Sequence, residues 1–376
     1  MTKLAWLSPN GTDTCVLDAA PTSILVATMG GVVELERSPD GDDWSVVRNE
    51  LKGHHISSIM VEPKSGAVFA GTHGSGLYRS MDGGKNWAPV MRGITSMHVF
   101  ALGMDVRDNG ATLYAGTEPS MLFKSTDLGN TWIELEAMRK VPGAENWNFP
   151  APPHISHVKH IITDPRSSET IYICVEQGAL LKSSDGGQTF EVLQFEDEAC
   201  RLNNDAHRIV FSPINADDLL VDGGDGIFRS TDAGKSWKRV ADTNIRVAYP
   251  DQLYYDPDDT NTFFVVGAGT PPPVWRKTGD ASPAIIRTDD GGKSWKELTN
   301  GIPEGMTCNF EGASMMVWPN GYGFLIGTSD GEVLASFDKG KSWSFIARDL
   351  HPVSKCCHFG NIAQGRAIVA AEKQNA

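Results

Sequence analysis

The chain alternates between short apolar runs and polar, glycine-containing turns along most of its length. The segments 67–80 (AVFAGTHGSGLYRS) and 112–125 (TLYAGTEPSMLFKS) are representative. Runs of four to eight residues rich in β-branched and aromatic side chains, bounded by turn residues, are typical of strands. The pattern therefore predicts an all-β protein made of many short antiparallel strands.

One octet recurs between these runs, with Ser or Thr first, Asp third, Gly fifth and an aromatic residue last. Its copies are Ser80–Trp87, Ser125–Trp132, Ser183–Phe190, Ser230–Trp237, Thr288–Trp295 and Ser336–Trp343, with a degenerate copy at Ser38–Trp44. A repeat of about 40 to 50 residues built of short strands is typical of propeller blades. We therefore expect each copy to mark one four-stranded blade.

The octet resembles the Asp-box, S-x-D-x-G-x-x-W, of the BNR/sialidase-like propeller superfamily. The resemblance implies that the aspartate caps backbone N–H groups in the turn between a blade's third and fourth strands, and that the Trp packs between blades. Repeated identical turns are scaffolding, so we do not expect these aspartates to be catalytic.

The resemblance and the octets together predict a seven-bladed propeller that forms one domain over residues 1–376, closed by pairing of its N- and C-terminal strands. The segment His358–Glu372 also has the pattern of a strand pair. An eighth blade that includes this segment is therefore the alternative.

Composition narrows the possible partners. The chain has 376 residues, a hydrophobic content of 40% and a formal net charge of −14. A phosphate backbone is bound through Lys and Arg, so this charge argues against nucleic acid and against an anionic membrane surface. The first residues show no secretory signal, and the six cysteines show no disulfide-scaffold spacing, so we expect a cytoplasmic protein.

Long loops concentrate on one face of the predicted propeller, where strand D of one blade leads to strand A of the next. These insertions are Arg139–Pro153, Phe195–Asn204, Thr270–Ala284 (a B–C turn on the same face), Gly301–Phe310 and Asp349–Cys357. Long loops on one face of a rigid scaffold are a common way to build a site.

All ten histidines fall at predicted A-strand starts or in loops of this face. Alignment of the A strands on a shared Pro places polar residues in one column around the axis. That column consists of His55, His98, His157, Asp205, Tyr249, Glu311 and His358. Neutral imidazoles with nearby carboxylates suit a divalent metal, so we expect His55, His98, His157 and His358 to bind Fe, Cu, Mn or Zn. The alternative is a ring that only hydrogen-bonds to channel water.

Other residues of this face complete the predicted site. Glu311, Asp205 and Tyr249 are the candidate catalytic residues. The candidate substrate-binding residues are Trp147, Phe149, Trp275, Arg276, His73 and Glu118. The three aromatic rings could stack on a sugar or an aromatic molecule, Arg276 lies beside Trp275, and His73 and Glu118 belong to B–C turns of the same face. Neither the metal nor the reaction follows from these residues.

The functional hypothesis is therefore a metal-dependent enzyme that acts on a small aromatic or glycosidic substrate by oxidative cleavage, hydrolysis or elimination. The alternative is a non-catalytic propeller that serves as an assembly platform. A glycoside hydrolase or sialidase ranks lower, because the column holds His where sialidases place Arg and because a polysaccharide-cleaving protein is expected to be exported, for which no signal peptide is visible.

Overall fold

A computed structural model shows seven sheets arranged as the blades of a propeller, with antiparallel pairing except for one parallel strand pair in the first blade and one in the seventh. It describes residues 3–11, 14–39, 41–195, 205–355 and 358–374. The prediction of a seven-bladed β-propeller is confirmed. Within the described residues, no helix is both long and apolar enough to cross a membrane.

Each blade has four strands in chain order from the axis outward. Blade one contains β1 (Leu4–Leu7), β3 (Ser23–Thr28), β4 (Gly31–Arg37) and β5 (Trp44–Glu50). Blade two contains β6 (Ile56–Val61), β7 (Val68–Thr72), β8 (Gly76–Ser80) and β9 (Ala88–Pro89). Blade three contains β10 (His98–Arg107), β11 (Gly110–Glu118), β12 (Leu122–Ser125) and β13 (Ile133–Glu134).

The remaining blades follow the same order. Blade four contains β14 (His157–Thr163), β15 (Ile171–Glu176), β16 (Ala179–Ser183) and β17 (Glu191–Val192). Blade five contains β18 (Ala206–Phe211), β19 (Leu219–Gly223), β20 (Gly226–Ser230) and β21 (Lys238–Ala241). Blade six contains β22 (Tyr249–Asp256), β23 (Asp259–Ala268), β24 (Pro283–Thr288) and β25 (Lys296–Glu297). Blade seven contains β26 (Phe310–Trp318), β27 (Gly321–Thr328), β28 (Val333–Ser336) and β29 (Ser344–Ala347).

The octets form a single kind of turn before the last strand of their blades. In the first full copy, Ser80 Oγ accepts a hydrogen bond from Gly84 N at 2.9 Å, and Asp82 Oδ1 accepts one from Asn86 N at 2.9 Å. The same pair of bonds recurs in the other five full copies. Hydrogen bonds from the hydroxyl and the backbone N–H of Ser236 lower the pKa of Asp232 to about 2. These aspartates are therefore occupied in holding the turns.

Apolar side chains fill the space between neighbouring blades. Trp132 is buried with Phe69 and Phe123, and its indole N–H donates to Val90 O at 3.0 Å. Trp237 and Trp343 are buried in the same way in other interfaces. The octet aromatic therefore both ends the turn and seals the gap between two blades.

The N-terminal segment passes through the centre of the ring. After β1, residues Ser8–Gly11 lie buried on the axis, and β2 (Thr14–Val16) then pairs in parallel with β26 as a fifth strand of blade seven. Ser8 N donates to Ser314 Oγ at 3.2 Å, and Arg208 donates to the carbonyl of Gly11 at 3.1 Å. This buried segment, and not an open channel, therefore occupies the axis at that level.

The C-terminal segment differs from the strand pair that its sequence pattern allowed. Residues His358–Gln374 form helix α2, which packs on helix α1 (Pro272–Thr278) in the loop between β23 and β24. Four strands already complete blade seven, and the alanine-rich sequence of the segment favours a helix. No eighth blade is formed in the described part of the chain.

Candidate active site

In blades two to seven, the antiparallel register of the two inner strands brings the start of the first strand opposite the end of the second. In blade three this pairs His98 with Glu118, and in blade four it pairs His157 with Glu176. A repeated register thus places imidazoles and carboxylates side by side at one end of the axis.

A β-bulge interrupts the inner strand of six blades near its start. The ladders skip one residue in each case, and the skipped residues are Ser57, Phe100, Lys159, His207, Asp251 and Glu311. We call these six residues the bulge ring; all are buried. A bulge re-aims a side chain relative to a regular strand, and two of these residues, Lys159 and Asp251, meet across the axis.

The contacts within the bulge ring connect blades that are not neighbours. Lys159 Nζ of blade four lies 3.2 Å from Asp251 Oδ1 of blade six, and 2.9 Å from Glu176 Oε1 of its own blade. Lys355 also pairs with Asp251 through its ammonium group. Burial of these charges is costly unless they are paired, and the two lysines supply that pairing.

The ring corrects the column that the sequence predicted. Four bulge residues lie six positions before the Pro on which the strands were aligned, whereas the column was read eight positions before it. In blade seven the bulge residue, Glu311, lies eight positions before Pro319, two more than in those four blades. Asn309, two residues before Glu311, therefore occupies the position that the column residues have in the other blades. Asn309 Nδ2 donates to Glu311 Oε1 at 2.8 Å.

The predicted metal ligands do not converge on one point in the described structure. His55 Nε2 donates to the carbonyl of Ser354 at 2.8 Å, and His157 Nε2 is 2.8 Å from Glu176 Oε2. His98 instead faces His73, with their Nδ1 atoms 3.4 Å apart. His358 begins helix α2; its side chain lies outside the described part of the structure.

Burial controls the electrostatics of this face. Burial, together with the neighbouring His55, lowers the pKa of His73 to about 4. Burial alone would raise the pKa of Glu176, but Lys159 and His157 outweigh it and hold that pKa well below its usual range. At neutral pH, His73 is therefore neutral and Glu176 is a carboxylate.

The predicted catalytic residues Asp205 and Tyr249 line a pocket of about 360 Å³ next to the ring. The pocket is lined by the carboxyl groups of Glu176 and Asp205, by the rings of Phe149 and Tyr249, and by Pro271–Pro273. Helix α2 adds Asn361, which accepts a hydrogen bond from Arg276 Nε at 2.9 Å. We call this the carboxylate pocket.

His207 joins the two sides of the pocket floor. Its Nδ1 lies 2.8 Å from the carbonyl of Pro250, which only accepts, so Nδ1 carries a proton. Its Nε2 lies 3.2 Å from Asp205 Oδ1 and 3.7 Å from Glu176 Oε1. Since both ring nitrogens face acceptors, a hydrogen bond between Nε2 and Asp205 requires a second proton, carried by the ring or by the carboxyl group.

The aromatic residues predicted for substrate binding divide into two groups. Phe149 rims the carboxylate pocket, and the half-buried Trp147 lines a separate depression near Gln177. Trp275 is fully buried, and its indole N–H donates to the carbonyl of Thr270 at 2.6 Å. Trp275 therefore packs α1 against the blades and α2 and cannot stack on a ligand in this conformation.

Sequence reasoning missed the lysines of this site. Lys159 and Lys355 are almost fully buried, although Lys is rarely buried without a partner. A reading six positions before the shared Pro would have placed Lys159, His207 and Asp251 in one column. Lys355 follows the last blade and carries no comparable repeat signal.

Comparisons with known proteins support a β-propeller family. The family model Sortilin-Vps10 (Sortilin, neurotensin receptor 3) matches residues 178–320. Xyloglucanase Xgh74A of Acetivibrio thermocellus is 27% identical over 231 residues, which are 52% of this chain and 26% of that protein. A xyloglucanase of Paenibacillus sp is 24% identical over 240 residues, covering 54% of this chain and 22% of its own length. The chain thus spans about a quarter of these relatives.

Solved structures agree on the fold. An ancestral GH74 enzyme superposes with a TM-score of 0.58 at 16% identity, over 77% of this chain and 38% of its own. The structure of YCF48 bound to D1 peptide superposes with a TM-score of 0.53 at 15% identity, over 82% and 86% of the two chains.

These relatives contradict the predicted function. The curated proteins that match are xyloglucanases, which are glycoside hydrolases, and the prediction of a metal-dependent enzyme with non-glycosidic chemistry as its main possibility is wrong. It gave weight to the number of histidines, whereas the structure binds several of them to carboxylates and carbonyls. The low rank given to glycoside hydrolases is corrected on the same ground.

Proposed function

We propose that the chain binds an oligosaccharide in the carboxylate pocket and hydrolyses a glycosidic bond there. The observation that carries this proposal is the pair Glu176 and Asp205, which offer oxygens within 4.8 Å of each other on the floor of a pocket rimmed by Phe149 and Tyr249. Two carboxyl groups flanking the scissile bond are the usual machinery of glycoside hydrolysis. Partial similarity to xyloglucanases supports the same substrate class. We also propose that the octet turns are Asp-boxes, as their sequence resemblance implies.

The two carboxyl groups have different surroundings and therefore different roles. Glu176 is held ionised by Lys159 and His157, so it faces the positive charge that develops on the sugar ring or attacks its anomeric carbon. Asp205 Oδ1 lies 3.2 Å from His207 Nε2, and Asp205 is the more exposed of the two carboxyl groups, at 15% against 5%. Asp205 is therefore the proton donor to the leaving oxygen.

The reaction balances with water alone. A proton from Asp205 goes to the glycosidic oxygen as its bond to the anomeric carbon breaks, and a carboxylate oxygen of Glu176 forms a bond to that carbon. Water then gives a proton to Asp205 and its hydroxide to the anomeric carbon, and the bond to Glu176 breaks to restore the carboxylate. The short separation of the carboxyl groups leaves little room for a water between carboxylate and sugar, because inverting enzymes hold these groups roughly 6.5–9.5 Å apart. Retention of the anomeric configuration is the expected outcome.

The test is hydrolysis of xyloglucan and cello-oligosaccharides by the purified chain, with product anomers followed by NMR. Asp205→Asn is expected to lower kcat about 10²–10⁴-fold. Glu145→Gln, an exposed acid of the loop on the same face, serves as the matched control and should leave the rate unchanged. Failure of the folded wild-type chain to cleave either substrate, or full activity of Asp205→Asn, would overturn the proposal.

A further inference from the structure

A second cluster lies at the mouth of blades two and three, outside the carboxylate pocket. His73 follows strand β7 and is bridged to His98, the first residue of β10. Glu118 ends β11 directly opposite His98 in the ladder. Three groups that can bind a cation therefore come from two adjacent blades, fixed by backbone pairing.

The spacing of the donor atoms fits a small metal ion. The Nδ1 atoms of His73 and His98 are 3.4 Å apart. Two ligands of a tetrahedral ion with metal–nitrogen bonds of about 2.1 Å lie about 3.4 Å from each other. A carboxylate oxygen of Glu118 lies within 4.8 Å of one ring nitrogen of each histidine, a separation that small rotations of the side chains would close.

The surroundings favour this use of the three groups. Glu118 is mostly buried, and its Oε2 lies 3.6 Å from Nδ1 of His157, whose other nitrogen is anchored by Glu176. Partners of this kind orient metal-binding carboxylates. The ring of His73 also packs edge-on against Phe100, which limits its rotation.

We propose that His73, His98 and Glu118 bind one divalent first-row transition ion of the Zn²⁺ type, with water completing the coordination. Two imidazoles and one carboxylate suit Zn²⁺ and its neighbours, and disfavour Mg²⁺ and Ca²⁺, which prefer oxygen ligands. The set differs from the four histidines predicted from the sequence and shares only His98 with them. The ion would tie blade two to blade three, and no step of the proposed hydrolysis passes through it.

The test is Zn²⁺ binding to the full chain after removal of metals with a chelator, measured by titration calorimetry. One Zn²⁺ per chain is expected for the wild type, with affinity at least 10-fold lower in His73→Ala, His98→Ala and Glu118→Gln. His351→Ala, an exposed histidine of another loop, is the control and should bind like the wild type. The spectrum of a Co²⁺ replacement reports whether the coordination is tetrahedral.

A second variant separates this site from the carboxylate pocket, where Glu176, Asp205 and His207 also offer donors within 4.8 Å. Asp205→Asn should keep the Zn²⁺ and lose hydrolysis, so the two proposals can fail independently. The metal proposal is overturned if the folded wild type takes up no stoichiometric Zn²⁺. It is also overturned if His98→Ala binds as tightly as the wild type, or if Asp205→Asn is the variant that loses the ion.

Discussion

Replacement of Lys159 tests the charge arrangement on the axis most directly. The Lys159 side chain is 1% exposed, and its ammonium group lies 2.9 Å from Glu176 Oε1 and 3.2 Å from Asp251 Oδ1. The Lys159→Met variant keeps an unbranched side chain of similar volume but removes the positive charge that two buried carboxylates share. Removal of one partner of a buried ion pair costs about 3–5 kcal/mol, and we expect a loss of that size in the free energy of unfolding at pH 7.

The assay is urea unfolding followed by tryptophan fluorescence, with Lys140→Met as the matched control. Lys140 pairs with Glu136 on the surface, where its side chain is 65% exposed. Such pairs contribute about 0.3–0.5 kcal/mol, so this variant should unfold almost like the wild type. The penalty of Lys159→Met should shrink at pH 4, because burial, without the lysine, favours the protonated form of Glu176.

A double variant provides a further check. Addition of Glu176→Gln to Lys159→Met removes one uncompensated charge and should recover part of the lost stability. A loss below about 1 kcal/mol in Lys159→Met, or an equal loss at pH 7 and pH 4, would refute the assignment of Lys159 as the cation that compensates this buried site.

Three further predictions concern the scaffold. Gly11→Ala should destabilise the fold by about 2–4 kcal/mol in urea unfolding, because Gly11 has a φ of +77° and a Cβ would lie 2.3 Å from Leu102 O. The control Gly53→Ala, at a φ of +81° with no atom within 4 Å of the added Cβ, should cost only about 1 kcal/mol. Equal losses in the two variants would argue against the buried axial segment. The depressed pKa of Glu176 contributes stability that is complete above the unfolded value of about 4.3 and is lost as the pH falls through the folded value, so the urea midpoint should fall between pH 5 and pH 3; a midpoint that rises over this range would contradict the ion pairs. Trp275→Ala should lower the free energy of unfolding by about 3–5 kcal/mol, whereas Trp147→Ala, at a half-buried position, should cost less; a reversed order would show that Trp275 does not anchor α1.

The repeated scaffold was predictable because its information is local. Each octet contains both the acceptors and the donors of its turn, as the bonds from Gly84 to Ser80 and from Asn86 to Asp82 show. Seven copies of the octet, one degenerate, were therefore enough to give the fold class and the number of blades. The gathering of polar groups at one end of the axis also followed from strand order.

The site itself depended on features that leave little trace in sequence. A bulge adds one residue without changing composition, so Lys159 and Asp251 were displaced by two positions from the column that was read. Segment 358–372 has apolar runs that suit either a strand or a helix, and only the completed blade seven decides between them. The burial of Trp275 depends on contact with α2, a segment whose apolar pattern was interpreted as a strand pair.

The axial segment also bears on how the chain folds during synthesis. Ser8 and its partner Ser314 are 306 residues apart, and synthesis at roughly 5–20 residues per second separates them by about 15–60 s. During that time the segment Ser8–Gly11 can first bond to Ser57 and Ile59 of blade two and later to Arg208 of blade five, and its bond to blade seven forms last. The contact between this N-terminal segment and blade seven is thus a late, long-range step. We expect this step to dominate the refolding time of the propeller.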